Sequence, residues 1–136
     1  MLLVDTNVVA YLLIEGPLTA AARELRRLDP DWRSEAFLPI EFTNVLASSI
    51  AARRMTLGLA HDLLSKVDTL FTGKLARIDH HSVLSIAARY RISAYDARFL
   101  ALANHLNRRL ITEDARLRVA APKVTRSLVD ALAELS

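Results

Sequence analysis

The sequence predicts an α/β domain in which a mainly parallel sheet of four to five strands is flanked by helices on both faces. Three observations carry that expectation. Short apolar runs alternate with longer stretches whose apolar residues recur at helical spacing, the pattern of strands joined by crossover helices. The first run, Met1 to Val4, is continuously apolar, as in a strand buried on both faces. Several runs stop abruptly at an acid, a hydroxyl or an amide. The 136 residues suit one domain, 1–136, around one core. Apolar residues make up 52% and aromatics only 6%, so that core is built from Leu, Ala, Val and Ile.

Taken in order, Met1-Leu2-Leu3-Val4 is the first strand and ends at Asp5-Thr6-Asn7. It has neither a basic leader nor a long apolar core, so it is not a signal peptide. Val8 to Ile14 reads as one or two helical turns, stopped by Gly16-Pro17. Leu18, Ala21, Ala22, Leu25 and Leu28 share a helix face, with Arg23, Glu24, Arg26 and Arg27 opposite, and Asp29-Pro30 ends that helix. Ala36-Phe37-Leu38 is the second strand expected. Pro39 then fits the first turn of a helix running to about Arg53, because its missing N–H is harmless there.

Thr56 caps a helix with the stripe Ala60, Leu63, Leu64, Val67, Leu70 and Phe71, closed by Gly73. Leu75 to Ile78 is the third strand, ended by Asp79, and Val83 to Arg91 a helix. Ser93-Ala94-Tyr95-Asp96 opens another helix that continues to about Asn107. Arg109-Leu110-Ile111 is the fourth strand, followed by Thr112-Glu113-Asp114 and a helical turn. Val124 to Arg126, behind Pro122, is a short fifth strand, and Ser127 caps the closing helix Leu128 to Leu135.

The chain has no cysteine, which excludes a disulfide and a thiolate zinc site and agrees with a cytoplasmic protein. No run approaches the length of a membrane span. The net charge of +3 and pI near 9.7 come mostly from arginine, whose planar fork suits phosphate. Such a body helps attract RNA or DNA, although solvated helix faces account for the same excess.

The informative acids sit where an apolar strand stops. Asp5 follows the first strand, Glu41 follows the second by way of Pro39, and Asp114 follows the fourth. In a parallel sheet those ends share one edge, the edge at which open α/β sheets bind ligands. Asp96 opens a helix whose preceding loop can return there. Carboxylates gathered so closely repel and become partly protonated unless a cation is present. Oxygen ligands without Cys or paired His suit Mg²⁺ or Mn²⁺ rather than zinc. Such an ion lowers the pKa of bound water and stabilises charge on a phosphoryl oxygen, which points to phosphodiester hydrolysis. Asn7 and Thr112, close to Asp5 and Asp114, are candidates to orient those carboxylates or bound water.

Each acid also has a local explanation. Ser93-x-x-Asp96 matches a capping box, Glu41 is favoured by a helix dipole, and Asp114 caps the turn after it. Asp79-x-x-Ser82 is an ordinary helix start outside the site, and the adjacent His80 and His81 point in different directions at the surface.

Four segments carry a family resemblance: Val4-Asp5-Thr6-Asn7-Val8, Pro39-Ile40-Glu41-Phe42-Thr43-Asn44-Val45-Leu46, Ser93-Ala94-Tyr95-Asp96-Ala97 and Thr112-Glu113-Asp114-Ala115-Arg116-Leu117. In that order and spacing they resemble the motifs of the PIN-domain ribonucleases, most closely the VapC toxins of type II toxin–antitoxin systems. The resemblance spans residue 3 to about 126. It implies a PIN-like fold and a metal-dependent endoribonuclease acting on RNA with Mg²⁺ or Mn²⁺. Asp5, Glu41, Asp96 and Asp114 match the family's acidic quartet, which binds metal and carries catalysis, and Asn7 and Thr112 match its supporting polar positions. The resemblance further implies a homodimer and a VapB-type antitoxin, whose tail is held by the region of the helices at Leu18–Leu28 and Thr56–Phe71. Some relatives carry an additional acid just past the fourth motif; here Arg116 and Arg118 stand instead, so one firmly bound ion is expected.

Two other readings compete. An aspartate-nucleophile phosphatase would use Asp5, but it wants a second Asp two residues on, where this chain has Asn7. A non-catalytic RNA- or protein-binding module would keep the acids for structure alone.

Overall fold

The computed structural model describes residues 1–136. Its centre is strand β1 (Leu2–Val4), each residue of which is at most 3% exposed. Consecutive strand side chains point to opposite faces, so both faces of β1 are covered. The elements that follow are α1 (Thr6–Leu13), α2 (Thr19–Leu28), β2 (Trp32–Glu35), α3 (Leu38–Ala51), α4 (Leu57–Leu70) and β3 (Leu75–Ala76). Then come α5 (His80–Tyr90), α6 (Ala94–Leu106), β4 (Leu110–Ile111), α7 (Ala115–Ala120), β5 (Thr125–Arg126) and α8 (Leu128–Leu135).

The five strands lie in the order β3-β2-β1-β4-β5 and every pairing is parallel. The chain moves outward from β1 through β2 to β3, then returns across the sheet to β4 and β5. Right-handed crossovers therefore place α1 to α4 on one face and α5 to α7 on the other. The packing agrees: α1 meets α2 and α3, α3 meets α4, and α5 packs along α6. The reversal makes the gap between β1 and β4 a topological switch point, so a crevice opens beyond their carboxyl ends.

The core joins both layers to the sheet through Leu3, Val4, Leu110 and Ile111, with Phe42 and Leu38 from α3 and Leu100 and Leu102 from α6. No helix is long and apolar enough to cross a membrane.

The second strand differs from the expectation. Ala36 and Phe37 form a turn and Leu38 already belongs to α3, while β2 is the preceding Trp32-Arg33-Ser34-Glu35. Its polar composition hides it, yet Trp32, Ser34 and Glu35 are all buried. Ser34 Oγ donates to the Val4 carbonyl at 2.7 Å, and Glu35 Oε2 accepts the Phe37 N–H at 2.7 Å, so neither polar group is left unpaired. The third strand is also shorter than Leu75 to Ile78, and α5 starts at His80 rather than Val83. Asp79 begins it early by accepting the Ser82 N–H at 2.9 Å.

Candidate active site

The crevice beyond β1 and β4 is a cavity of about 340 Å³ whose lining includes Asp5, Asn7, Glu41, Asn44, Asp96 and Asp114. Each carboxylate is delivered by a different local device. Asp5 ends β1 and at once caps α1, its Oδ1 accepting the Val8 N–H at 3.1 Å. Its own N–H donates to the Ile111 carbonyl at 3.3 Å, which keeps the end of β1 registered on β4. Glu41 projects from the first turn of α3, which also holds Pro39, and its Oε1 accepts the Thr6 hydroxyl at 2.7 Å.

Asp96 occupies the first turn of α6, where its N–H donates to Ser93 Oγ at 3.0 Å. Asp114 caps α7, with Oδ1 accepting the N–H groups of Arg116 and Leu117 at 2.9 and 3.2 Å. Thr112 lies fully buried behind the cavity wall, and its Oγ1 accepts the Asp114 N–H at 3.1 Å. Asn7 is exposed on the wall itself.

The electrostatics follow from this crowding. Burial pushes the Asp5 carboxyl up to about 6; Thr112 and the Val8 N–H oppose the rise, and the charges of Glu41 and Asp114 add to it. Glu41 is raised by partial burial, against the Thr6 bond and with the charges of Asp96 and Glu35. Asp96 is raised by burial and then by Asp114, while Ser93 lowers it. Three carboxylates held above their ordinary range around one crevice make a place that gains by accepting a cation.

The sequence matches the PIN domain family over residues 2–123. The chain belongs to the PIN domain family. PIN domains are generally nucleases and generally use divalent metals. The crystal structure of PAE2754 from Pyrobaculum aerophilum is similar in fold, with a TM-score of 0.75 at 20% identity over 98% of this chain and 94% of that one. No curated protein matches the sequence.

Whether this PIN domain suits a divalent ion is a matter of donor chemistry. Carboxylate oxygens from Asp5, Glu41, Asp96 and Asp114, with the Asn7 and Asn44 amide oxygens, offer a hard, all-oxygen donor set lining one cavity. It fits Mg²⁺ or Mn²⁺. No three acidic or histidine side chains stand close enough together to hold an ion as they are placed. Asp5, Glu41 and Asp114 are each tied to a different hydrogen-bond donor.

Sequence reasoning missed three neighbours. Glu35, fully buried at the end of β2, raises Glu41 through its charge. It stands to β2 as Asp5 stands to β1, a relationship that a strand expected at Ala36-Phe37-Leu38 conceals. Asn44 lines the cavity from α3, within one turn of Glu41, and that helical spacing was legible. Tyr11 on α1 has its phenol raised by partial burial, then by Asp5, Glu113 and Asp114. His80, His81 and Asp79 stay outside the cavity, all exposed.

Proposed function

We propose that this PIN domain is a Mg²⁺- or Mn²⁺-dependent endoribonuclease that hydrolyses RNA phosphodiester bonds. The observation that carries the reading is the meeting of Asp5, Glu41, Asp96 and Asp114, from four separate segments, on one cavity at the switch point of the sheet. Asp5, Asp96 and Asp114 would hold the ion, directly or through water, and Glu41 would complete the set. When bound, the ion supplies an acidified water and neutralises charge on the phosphoryl oxygen.

The chain's own groups set the rest. Glu41, its carboxyl raised and its orientation held by Thr6, is suited to position the attacking water and to receive its proton. Thr112 and the α7 N–H groups keep Asp114 oriented, and the Val8 N–H does the same for Asp5. Asn7 lies where its amide can contact bound water or a phosphate oxygen.

The motif order further supports a finer assignment: the toxin half of a VapBC-type pair, acting in the cytoplasm as a homodimer and restrained by a VapB-type antitoxin. Arginine at 116 and 118, where some relatives have an acid, supports one firmly bound ion.

The deciding experiment is RNA cleavage by the purified protein in Mg²⁺ or Mn²⁺ against EDTA, beside a folded Asp96→Asn variant. Metal-dependent cutting that the variant lacks is expected. A second reading, a non-catalytic binding module with a structural acidic cluster, draws on the capping roles of Asp5 and Asp114. It predicts metal-independent RNA binding and no cleavage with any ion.

A further inference from the structure

The rim of the acidic cavity is aromatic on one side. Tyr95, the residue before Asp96 in the first turn of α6, lines the cavity and is 63% exposed. Its ring stacks on Phe37, with centroids 5.4 Å apart and planes 14° from parallel. This is the offset arrangement that aromatic rings favour. Leu84, Val119 and Val129, also large and exposed, stand away from the cavity, and Ile40, which shares the lining, is aliphatic and offers no π face.

The stack is anchored from below by a buried carboxylate. Glu35, 0% exposed, accepts the Phe37 N–H at 2.7 Å through Oε2 and pairs with Arg98 Nη1 through Oε1 at 3.5 Å. The Arg98 guanidinium lies 5.2 Å from the centre of the Phe37 ring, within cation–π range. One carboxylate thus fixes Phe37 twice, at its backbone and through Arg98 at its ring. Phe37 held this firmly gives the Tyr95 ring a fixed surface to stack on, which lowers the ordering cost for a partner that stacks on Tyr95 in turn.

We propose that the Phe37–Tyr95 stack is a nucleobase platform: the uncovered face of Tyr95 receives an unpaired base of single-stranded RNA beside the phosphate held at the acidic cavity. The inference rests on the nuclease reading and adds to it the residues that seat a base beside the phosphate. Base-on-aromatic stacking tolerates any base, because every base has a π face, so the platform selects for an unstacked nucleotide rather than for a sequence. Bases within an A-form duplex are already stacked on each other and cannot offer a face to Tyr95.

The test uses oligoribonucleotides carrying 2-aminopurine at successive positions, mixed with the full chain in Ca²⁺ in place of Mg²⁺ to hold back cleavage. Quenching at one position is expected, lost in Tyr95→Ala together with roughly ten-fold or more of the affinity, and retained in Tyr95→Phe and Tyr95→Trp. Quenching and affinity that are the same in Tyr95→Ala as in wild type overturn the platform, as does quenching at no position. A shift of Tyr95→Ala from dimer to monomer by light scattering overturns it too, because the ring would then belong to an interface between copies. Cleavage in Mg²⁺, read separately, keeps the two ideas apart. A wild type that cuts RNA without Tyr95-dependent quenching refutes the platform alone; one that shows the quenching and never cuts refutes the nuclease alone.

Discussion

Thr6 Oγ1 donates a 2.7 Å hydrogen bond to Glu41 Oε1, joining the first turn of α1 to the first turn of α3 across 35 residues of sequence. Thr6 is buried and Glu41 half-buried, so the bond orients the carboxylate and favours its charged form against the pull of burial. Replacing Thr6 with Val keeps the branched shape and removes the donor. The expected result is a stability loss of about 1 kcal/mol and a Glu41 carboxyl that titrates at higher pH than in wild type. If Glu41 must be charged to work, the acidic limb of the cleavage profile moves to higher pH with it. An unchanged limb and an unchanged carboxyl titration by NMR would show that the bond does not tune this group.

The raised Asp5 carboxyl has a thermodynamic consequence. Its folded pKa of about 6 stands above its ordinary 3.8, so the folded chain binds this proton more tightly than the unfolded chain does. The contribution of this group is therefore most favourable below pH about 4 and is lost as pH rises through 6, a change of about 3 kcal/mol. Asn at this position can still accept the Val8 N–H and cap α1, but carries no charge. In EDTA at pH 8, Asp5→Asn should unfold at higher urea than wild type, and the difference should vanish near pH 4. The same variant should be inactive. A wild type that is the more stable of the two at pH 8 would contradict the buried-charge account.

Metal should reverse that penalty. A divalent ion at a hundredfold over its Kd stabilises the protein by about 2.7 kcal/mol, provided the unfolded chain does not bind it. Thermal unfolding with and without Mn²⁺ is expected to show this gain for wild type and little or none for Asp5→Asn. Equal gains in both would place the ion elsewhere on the molecule.

Asp114 separates charge from capping. Its Oδ1 holds two N–H groups of α7, a role that Asn can share and Ala cannot. Asp114→Asn is expected to keep wild-type stability and lose cleavage, whereas Asp114→Ala should lose cleavage and about 1 kcal/mol as well. Retained cleavage in the folded Asn variant would remove Asp114 from the proposed ligand set.

The Glu35–Arg98 pair joins residues 63 apart, with Glu35 wholly buried. Arg98→Met strands that carboxylate with the Phe37 N–H as its remaining partner, which should cost about 3 kcal/mol in urea unfolding. Adding Glu35→Leu removes the stranded charge and should recover most of the loss. A single Arg98→Met variant as stable as wild type would mean that the pair contributes nothing to the fold.

Much was legible in the chain because it is local. The caps at Thr56, Ser93, Asp114 and Ser127 each join a side chain to an N–H two or three residues on, and all four form as the sequence predicts. The stripes of α2 and α4 and the apolar run of β1 follow from helical and strand periods, and they establish the α/β class and the strand-end positions of Asp5 and Asp114. Tertiary structure decided what depends on distant partners. Strand β2 was invisible because Ser34 is satisfied by the Val4 carbonyl and Glu35 by Arg98, neither of which the local run contains. The order β3-β2-β1-β4-β5, the pKa of Asp5 and the Phe37–Tyr95 stack likewise arise only when separate segments exclude water together. Propensity and capping are properties of neighbours in sequence; desolvation and charge repulsion are properties of neighbours in space.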